Sequence, residues 1–330
     1  MTDDAVFDEF SFLPAQAASA GVAAPPVRRL TMPLDDGRVV SALQYGAPGA
    51  TGFEPPVVTF LHGAGLNAHT WDTTVLALGL PALLLDLPGH GDSSWRTDAA
   101  YSGRTLAADV APAVEAWTDR PQVLVGHSLG GLTAAAVAAT RPELVAALVV
   151  VDISPGIDPN GGASQIRAFF AGPTDWASRD ELVERALSFG LGGDRDAAAR
   201  GVFLNSRVRP DGRVEWKHHY AHLANRLAAD PGTAAALDAQ NEAAAVVRSA
   251  DGWQDLAAVG APITLVRGIR GFVTDDDRDA YADRVPTARI VDVDSGHNVH
   301  EERPGELGRL IAGVASTVRS AGDRDTRAGL

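Results

Sequence analysis

The stretch Gln122-Val-Leu-Val-Gly-His-Ser-Leu-Gly-Gly131 decides how this 330-residue chain folds. Its first half is typical of a short buried β-strand, and the alanine-rich segment 129–140 that follows is typical of a helix. Between the two, Gly126, Ser128 and Gly130 form the pattern G-x-S-x-G. In a strand–turn–helix setting, this pattern indicates a sharp turn that exposes the serine hydroxyl, with glycines where a side chain would clash. We therefore predict Ser128 as a nucleophile.

Short apolar runs recur along the rest of the chain, with helical segments between them. A continuous apolar run suits a strand that is buried on both faces, as in a parallel sheet. The alternation of such runs with helices predicts a doubly wound, mostly parallel α/β sheet. The predicted strands are 39–45, 56–61, 82–86, 122–126, 146–151, 263–266 and 289–293, and the predicted helices are 105–117, 129–140, 276–284 and 304–318.

The domain organisation follows from one interruption of this alternation. Residues 153–252 separate two predicted strands and have mostly helical patterns. We therefore predict a helical cap that is inserted after the strand ending at Asp152, on a core made of residues 27–152 and 253–321. Residues 1–26 are alanine-rich and are predicted to be a flexible N-terminal extension. The predicted helices of the cap are 180–189, 195–204 and 233–248.

Composition and charge exclude several classes of function. The chain has 28 Lys and Arg against 42 Asp and Glu, a net charge of −14, which argues against binding to nucleic acid or to an anionic membrane. It has no cysteine, and therefore no thiolate nucleophile, disulfide or cysteine zinc site. We find neither a secretory signal pattern nor an apolar run near the ~20 residues that span a membrane. We expect a cytoplasmic protein whose partner is a small-molecule substrate, with a homodimer left open.

A serine hydroxyl needs a general base, and His297 is the candidate among nine histidines. It lies in Asp294-Ser-Gly-His-Asn298, after the last predicted strand and before the last helix. Loops that follow parallel strands open at one edge of the sheet, so this loop is expected beside Ser128. A role in the loop or in helix capping is the alternative for His297.

A serine that attacks a carbonyl group leaves negative charge on the carbonyl oxygen, the oxyanion. Two backbone amides are candidates for stabilising it. The glycine-rich turn His62-Gly-Ala-Gly65 follows a predicted strand, and its glycines allow the amide of Ala64 to face the nucleophile. Together with the amide of Leu129, it would form a two-donor oxyanion hole, in which a single donor contributes ~3 kcal/mol. Such a turn could instead hold a phosphate, but its spacing matches neither the P-loop nor the dinucleotide motif.

Four motifs together resemble the α/β-hydrolase superfamily. They are His62-Gly, Asp86-Leu-Pro-Gly-His-Gly-Asp-Ser, Gly126-His-Ser-Leu-Gly-Gly and Ser295-Gly-His, in the order expected for that superfamily. The resemblance implies a serine hydrolase that cleaves an ester, lactone or amide through an acyl-enzyme on Ser128, without a metal or organic cofactor. It leaves open a cofactor-free lyase, a C–C bond hydrolase or a perhydrolase that uses the same catalytic triad of serine, histidine and an acid. It also leaves open a weakly catalytic receptor for a small molecule.

The acid member of the triad departs from the commonest pattern of this superfamily. Many members carry it after the penultimate strand, where this chain has Arg267-Gly-Ile-Arg-Gly-Phe-Val-Thr274 without a carboxylate. Asp275, Asp276 and Asp277 come a few residues later and are typical of the first turn of a helix. Asp152 closes the strand after the nucleophile helix, as in some esterases and lactonases, and a buried aspartate there needs a partner such as a histidine N–H. We predict Asp152 as the acid and keep the three later aspartates as the alternative.

Two further groups of polar residues receive structural interpretations. Asp86 and Asp92 bracket a turn, which we expect them to fix through hydrogen bonds from their side chains to the backbone. His218, His219 and His222 have the helical spacing of metal ligands, but no carboxylate completes an H-E-x-x-H pattern. We predict that these histidines are polar cap residues near the pocket.

Overall fold

An eight-stranded sheet lies at the centre of the computed structural model, which describes residues 8–157, 168–170, 172–223 and 250–328, with side chains as far as Ser320. The helix predicted at 233–248 lies outside the described residues. The described strands are β1 (Val27–Pro33), β2 (Val39–Tyr45), β3 (Val58–Leu61), β4 (Ala82–Asp86), β5 (Gln122–His127), β6 (Val145–Val151), β7 (Asp175–Trp176), β8 (Ser206–Val208), β9 (Val214–Trp216), β10 (Ile263–Gly268) and β11 (Arg289–Val293).

The strands of the large sheet follow the order β1-β2-β4-β3-β5-β6-β10-β11. Strand β2 is antiparallel to both β1 and β4, and all the pairs from β4 to β11 are parallel. Each strand predicted from the sequence is present, and the α/β fold class is confirmed. Strand β1 is missing from the prediction because it is only half-buried at the sheet edge and is not a continuous apolar run. The parallel strands bring the ends of β3, β5, β6, β10 and β11 to one edge.

Helices cover both faces of this sheet. Helices α3, α4 and α7 contribute to one apolar cluster, and α1, α2 and α9 contribute to the other. No helix among the described residues is long and apolar enough to cross a membrane. The described helices include α1 (Leu13–Ala20), α2 (Asp72–Leu78), α3 (Gly103–Trp117), α4 (Leu129–Thr140), α5 (Arg179–Ser188), α6 (Arg195–Asn205), α7 (Asp275–Arg284), α8 (Val299–Glu302) and α9 (Pro304–Ala328).

The segment between β6 and β10 contains a small sheet that the helical prediction lacks. Strands β7, β9 and β8 pair antiparallel in that order, and α5 and α6 pack beside them. Trp176, Val214 and Trp216 from this sheet join apolar residues of the two helices in a cluster separate from the main core. These strands are two or three residues long, too short for a period of two to be visible in the sequence.

The start of the chain differs from the predicted flexible extension. From Asp8 onward the segment is packed: α1 lies on α2, and its Leu13 and Ala17 are buried. These two residues are four positions apart and therefore lie on one face of the helix. A single short stripe of this kind does not stand out in an alanine-rich segment, which is why composition alone favours a loose extension.

An ionic network also anchors this segment. The carboxylate of Glu9 pairs with Arg29 and accepts a hydrogen bond from His69 Nε2 at 3.1 Å. Burial by itself would raise the pKa of Glu9, but the hydrogen bonds from His69 and Arg29 lower it to about 2. Burial by itself would likewise lower the pKa of His69, but Asp72 and Glu9 raise it to about 9. Both groups are therefore charged near neutral pH and hold the N-terminal segment to the core.

Candidate active site

Ser128 occupies a strained turn between β5 and α4. Its φ of 52° and ψ of −121° lie in a region that residues other than glycine rarely adopt. A Cβ atom at Gly126 would lie 2.2 Å from the carbonyl oxygen of Gly130, and one at Gly130 would lie 2.2 Å from the carbonyl oxygen of Leu61. Only glycine fits at these two positions, so the spacing G-x-S-x-G allows α4 to start directly against β3 and β5.

His297 and Asp152 meet at the same edge of the sheet. The Nδ1 atom of His297 lies 2.7 Å from a carboxylate oxygen of Asp152, although the two residues are 145 positions apart. Asp152 is fully buried at the end of β6 and accepts two further hydrogen bonds, from the backbone N–H of Gly268 at 3.0 Å and of Phe272 at 2.7 Å. An Nδ1–H that donates to this carboxylate leaves the lone pair of the imidazole on Nε2, the tautomer that a general base requires.

The loop that lacks the usual acid has a different part in this site. The loop contributes backbone donors to Asp152, and a Cβ atom at Gly271 would lie 2.1 Å from that carboxylate. The ring of Phe272 stacks on the imidazole of His297, with centroids 3.5 Å apart and planes 10° apart. Sequence reasoning did not identify Phe272, because neither the packing of its ring nor the use of its amide leaves a motif.

The three later aspartates lie at the start of α7. Asp275 pairs with Arg267 at 2.6 Å and has 89% of its side chain exposed. Asp277 accepts a hydrogen bond from the hydroxyl of Thr274 at 2.7 Å and, with it, forms the capping box of the helix. Asp276 is exposed. The structure therefore brings Asp152, and none of these three residues, onto His297.

The turn after β3 is held so that the direction of one backbone amide is fixed. His62 is fully buried; its Nδ1 lies 2.8 Å from the carbonyl oxygen of Gly63, and its Nε2 accepts from the N–H of Leu87 at 3.0 Å. The Gly63 carbonyl also accepts from the N–H of Leu66 at 3.2 Å. The C=O and N–H of a trans peptide point in opposite directions, so fixing this carbonyl also fixes the N–H of Ala64.

The second predicted oxyanion donor is the amide of Leu129, the first residue of α4. Amides in the first turn of a helix have no partner within the helix and are available to a ligand. The turn that carries the Ala64 amide lies close by, because a Cβ atom at Gly63 would be 3.3 Å from the Cβ of Ser128.

Two asparagines join this turn to α6. The Nδ2 atom of Asn205 donates to the carbonyl oxygen of Gly65 at 2.5 Å, and the Nδ2 atom of Asn67 donates to the carbonyl oxygen of Leu204 at 3.1 Å. The ring of Phe170 lies against Gly65, where a Cβ atom would approach it to 2.5 Å. Sequence reasoning missed these contacts because they join segments that are far apart in the chain.

A cavity of about 740 Å³ borders His297. Its walls come from α1, the turn after β3, α6 and the loops that carry Phe272 and His297. The N-terminal segment is part of this wall through Gln16. Phe12 of the same segment packs edge-on against Phe203 of α6, with centroids 5.4 Å apart. Lining residues include Gln16, Asn67, Ala197, Arg200, Leu204 and Phe272.

The other polar residues predicted from sequence are not among the described residues that line this cavity. The carboxylate of Asp86 accepts from the backbone N–H of Ala68 at 2.8 Å and of Asp92 at 3.2 Å. His218 is fully buried, and burial lowers its pKa to about 3. His219 stacks on a tryptophan ring at 4.6 Å. Within the described ranges, no group of three or more His, Asp or Glu side chains is arranged to hold a metal ion.

Comparison with known proteins gives the family and the class of enzyme. The sequence profile of the alpha/beta hydrolase family matches residues 60–310. The chain therefore belongs to this family and is a hydrolase, as its motifs predict.

Several relatives are similar over most of the chain. Esterase Rv0045c of Mycobacterium tuberculosis is 34% identical over 329 residues, which cover 96% of this chain and 99% of the esterase. A solved structure of that esterase has a TM-score of 0.75, over 94% of this chain and 99% of the other. Lipase LipV of the same organism is 27% identical over 284 residues, which cover 81% of this chain and 94% of the lipase.

Proposed function

We propose that this protein is a serine esterase that cleaves a carboxylic ester of a small molecule through an acyl-enzyme on Ser128. The observation that carries the proposal is the 2.7 Å hydrogen bond between His297 and the buried Asp152, at the sheet edge where Ser128 occupies its strained turn. Hydrolysis of an ester agrees with the names of the two mycobacterial relatives, an esterase and a lipase.

The first half of the proposed reaction forms the acyl-enzyme. The Nε2 atom of His297 accepts the hydroxyl proton of Ser128 as the oxygen attacks the ester carbonyl. Negative charge develops on the carbonyl oxygen, and the amides of Ala64 and Leu129 donate hydrogen bonds to it. Asp152 stabilises the imidazolium that forms, and His297 then gives its proton to the leaving alcohol.

The second half releases the acid. Water enters, His297 accepts one of its protons, and the resulting nucleophile attacks the acyl carbon. The same two amides stabilise the second oxyanion, and the proton on His297 returns to Ser128 as the carboxylic acid leaves. These steps use only groups of this chain and water.

The cavity beside His297 is the proposed site for the alcohol part of the ester. The leaving oxygen must lie next to the imidazole that protonates it, so the group attached to that oxygen extends into the space bordering His297. A volume of about 740 Å³ is within the range of small-molecule pockets. Its mixed apolar and polar wall suits an alcohol of moderate size.

A fluorophosphonate probe and a panel of p-nitrophenyl esters test the proposal. We expect the wild-type protein to be labelled and to hydrolyse at least one ester, and Ser128→Ala to do neither. Ser154→Ala is the matched control, because Ser154 is a buried serine two residues after Asp152. We expect this variant to be labelled and to hydrolyse esters like the wild-type protein. A wild-type protein that the probe does not label would overturn the serine mechanism. Labelling without hydrolysis of any ester would favour a lyase, a C–C bond hydrolase or a receptor.

A further inference from the structure

One imidazole contacts two parts of the candidate site and has no part in the reaction proposed above. His127 lies between Gly126 and Ser128 in the motif, at the end of β5, and it is 1% exposed. A residue buried immediately before the nucleophile has few directions in which to point. Its ring extends between the turn after β3 and the loop that carries His297.

The first contact is a hydrogen bond to the backbone of the base. The Nε2 atom of His127 lies 3.1 Å from the carbonyl oxygen of His297. That oxygen also accepts from the N–H of Val299 at 3.1 Å, so His127 supplies one of its two hydrogen bonds. The two imidazole rings pack with centroids 4.5 Å apart. The position of His297 along its loop therefore depends on His127.

The second contact is with the turn that carries the amide of Ala64. A Cβ atom at Gly63 would lie 2.7 Å from Nδ1 of His127, so the ring packs directly on the α-carbon of Gly63. The same ring thus fills the space between the turn after β3 and the loop of His297. A change in its shape shifts both relative to Ser128.

The chemical state of this imidazole follows from its surroundings. Burial, together with the neighbouring His297 and His300, holds the pKa of His127 well below its usual range. A neutral imidazole carries one proton, and the contact with a carbonyl oxygen requires that proton on Nε2. The Nδ1 atom, which has no hydrogen-bond partner among the described residues, faces Gly63. His127 is therefore a fixed neutral donor.

We propose that His127 is a positioning residue for the hydrolytic reaction. It holds the loop of His297 and the turn after β3 in their positions relative to Ser128. This inference rests on the proposed serine mechanism. It assigns a role to the variable position of the G-x-S-x-G motif in this chain. His127 does not touch the reacting atoms, so its effect is expected on the rate of the chemical step and not on substrate binding.

Three variants separate this role from simple packing. His127→Leu replaces the imidazole with an apolar side chain of similar size and removes the donor, whereas His127→Gln keeps an N–H near the position of Nε2. His300→Leu is the matched control, because His300 is equally buried, packs on His127 with centroids 4.5 Å apart, and has no hydrogen-bond partner on either ring nitrogen among the described residues.

Steady-state kinetics and the rate of fluorophosphonate labelling are the first measurements. A displacement of about 1 Å at a reacting group costs on the order of 10²-fold in rate. We expect kcat and the labelling rate to fall about 10- to 100-fold in His127→Leu, with KM within about twofold. We expect kcat and the labelling rate of His127→Gln and His300→Leu to stay within about threefold of the wild-type values. KM is not compared for His300→Leu, because His300 lines the cavity beside His297.

Proton NMR gives a second measurement that needs no substrate. The Nδ1–H of His297, hydrogen-bonded to Asp152, is expected to give a low-field resonance in the wild-type protein, in His127→Gln and in His300→Leu. In His127→Leu we expect this resonance to shift upfield or to broaden.

Several results would contradict this role of His127. The proposal is wrong if His127→Leu keeps its kcat and its low-field resonance, or if His127→Gln loses as much activity as His127→Leu. Equal losses in His127→Leu and His300→Leu, with equal decreases in Tm, would assign His127 to packing alone. A wild-type protein that neither reacts with the probe nor hydrolyses any ester would count against the serine mechanism, whereas the NMR comparison would still test the hold of His127 on His297.

Discussion

Asp152→Asn is the most informative single substitution, because Asp152 accepts three hydrogen bonds in a fully buried site. One of its oxygens accepts from the N–H of Gly268, and the other accepts from both Phe272 and His297. An asparagine has one oxygen and one NH2 group, so in either orientation its NH2 faces at least one buried N–H.

Both orientations harm the reaction. With the NH2 toward His297, the imidazole must accept at Nδ1, which moves its proton to Nε2 and removes the base. With the NH2 toward Gly268, the tautomer is kept, but no negative charge remains beside the imidazolium that forms in the transition state. The corresponding change in serine proteases costs ~10⁴-fold in kcat, or about 5.5 kcal/mol in the barrier. The donor that is left unsatisfied costs about 1–3 kcal/mol of the free energy of unfolding.

The assay is kcat on the best p-nitrophenyl ester, with Tm measured in parallel. We expect Asp152→Asn to lose about 10⁴-fold in kcat while it remains folded with a lower Tm. Asp275→Asn is the matched control and should stay within about tenfold, because an exposed carboxylate in the first turn of a helix contributes about 1 kcal/mol or less. The assignment is refuted if Asp152→Asn stays active while an Asn replacement at Asp275, Asp276 or Asp277 is as damaging as Ser128→Ala.

Three other predictions concern strain, the cavity and pH. Ser128→Gly should be inactive but should have a higher Tm than Ser128→Ala, because glycine relieves a backbone strain of ~1–3 kcal/mol at a φ of 52°; equal Tm values would contradict this. Ala197→Phe fills part of the cavity and should lower kcat/KM at least about tenfold for esters of bulky alcohols relative to methyl esters. Ala199→Phe, on the exposed side of α6, should not change this ratio. Equal effects of the two substitutions would place the alcohol site elsewhere. The Glu9–His69 pair should stabilise the fold most between about pH 4.5 and 6.5, since the contribution of Glu9 is lost as pH falls toward about 2 and that of His69 as pH rises through about 9. In urea denaturation between about pH 2 and pH 9, Glu9→Gln should flatten the pH dependence of the free energy of unfolding, and an unchanged dependence would exclude the pair as its source.

Much of the core is determined by local sequence patterns. Apolar runs such as 82–86 are buried on both faces and need no knowledge of their neighbours to be recognised as strands. The turn at Ser128 is also local, since the two glycines that flank it are required by the approach of α4 to the sheet. The fold class, the family and the hydrolase class follow from these patterns and are confirmed. The catalytic roles of Ser128, His297 and Asp152 remain predictions.

Other features depend on contacts between distant segments, which leave little trace in the sequence. Strand β1 and α1 are half-buried or carry few apolar residues, so the strand is not predicted and the helical segment is predicted as a flexible extension. The short strands β7 to β9 exist because they pair with one another and pack on α5 and α6.

At the site, the sequence by itself supplied Ser128, His297 and a choice between Asp152 and three later aspartates. Only the tertiary structure placed the Asp152 carboxylate on His297, the ring of Phe272 against that imidazole, and Asn205 on the turn at Gly65. The physical reason is that these contacts join residues up to 145 positions apart, and their geometry is set by the parallel strands that end at the same edge of the sheet. Residue type and spacing along the chain predict the chemistry, but the directions of the side chains and the distances between them are determined by the folded sheet.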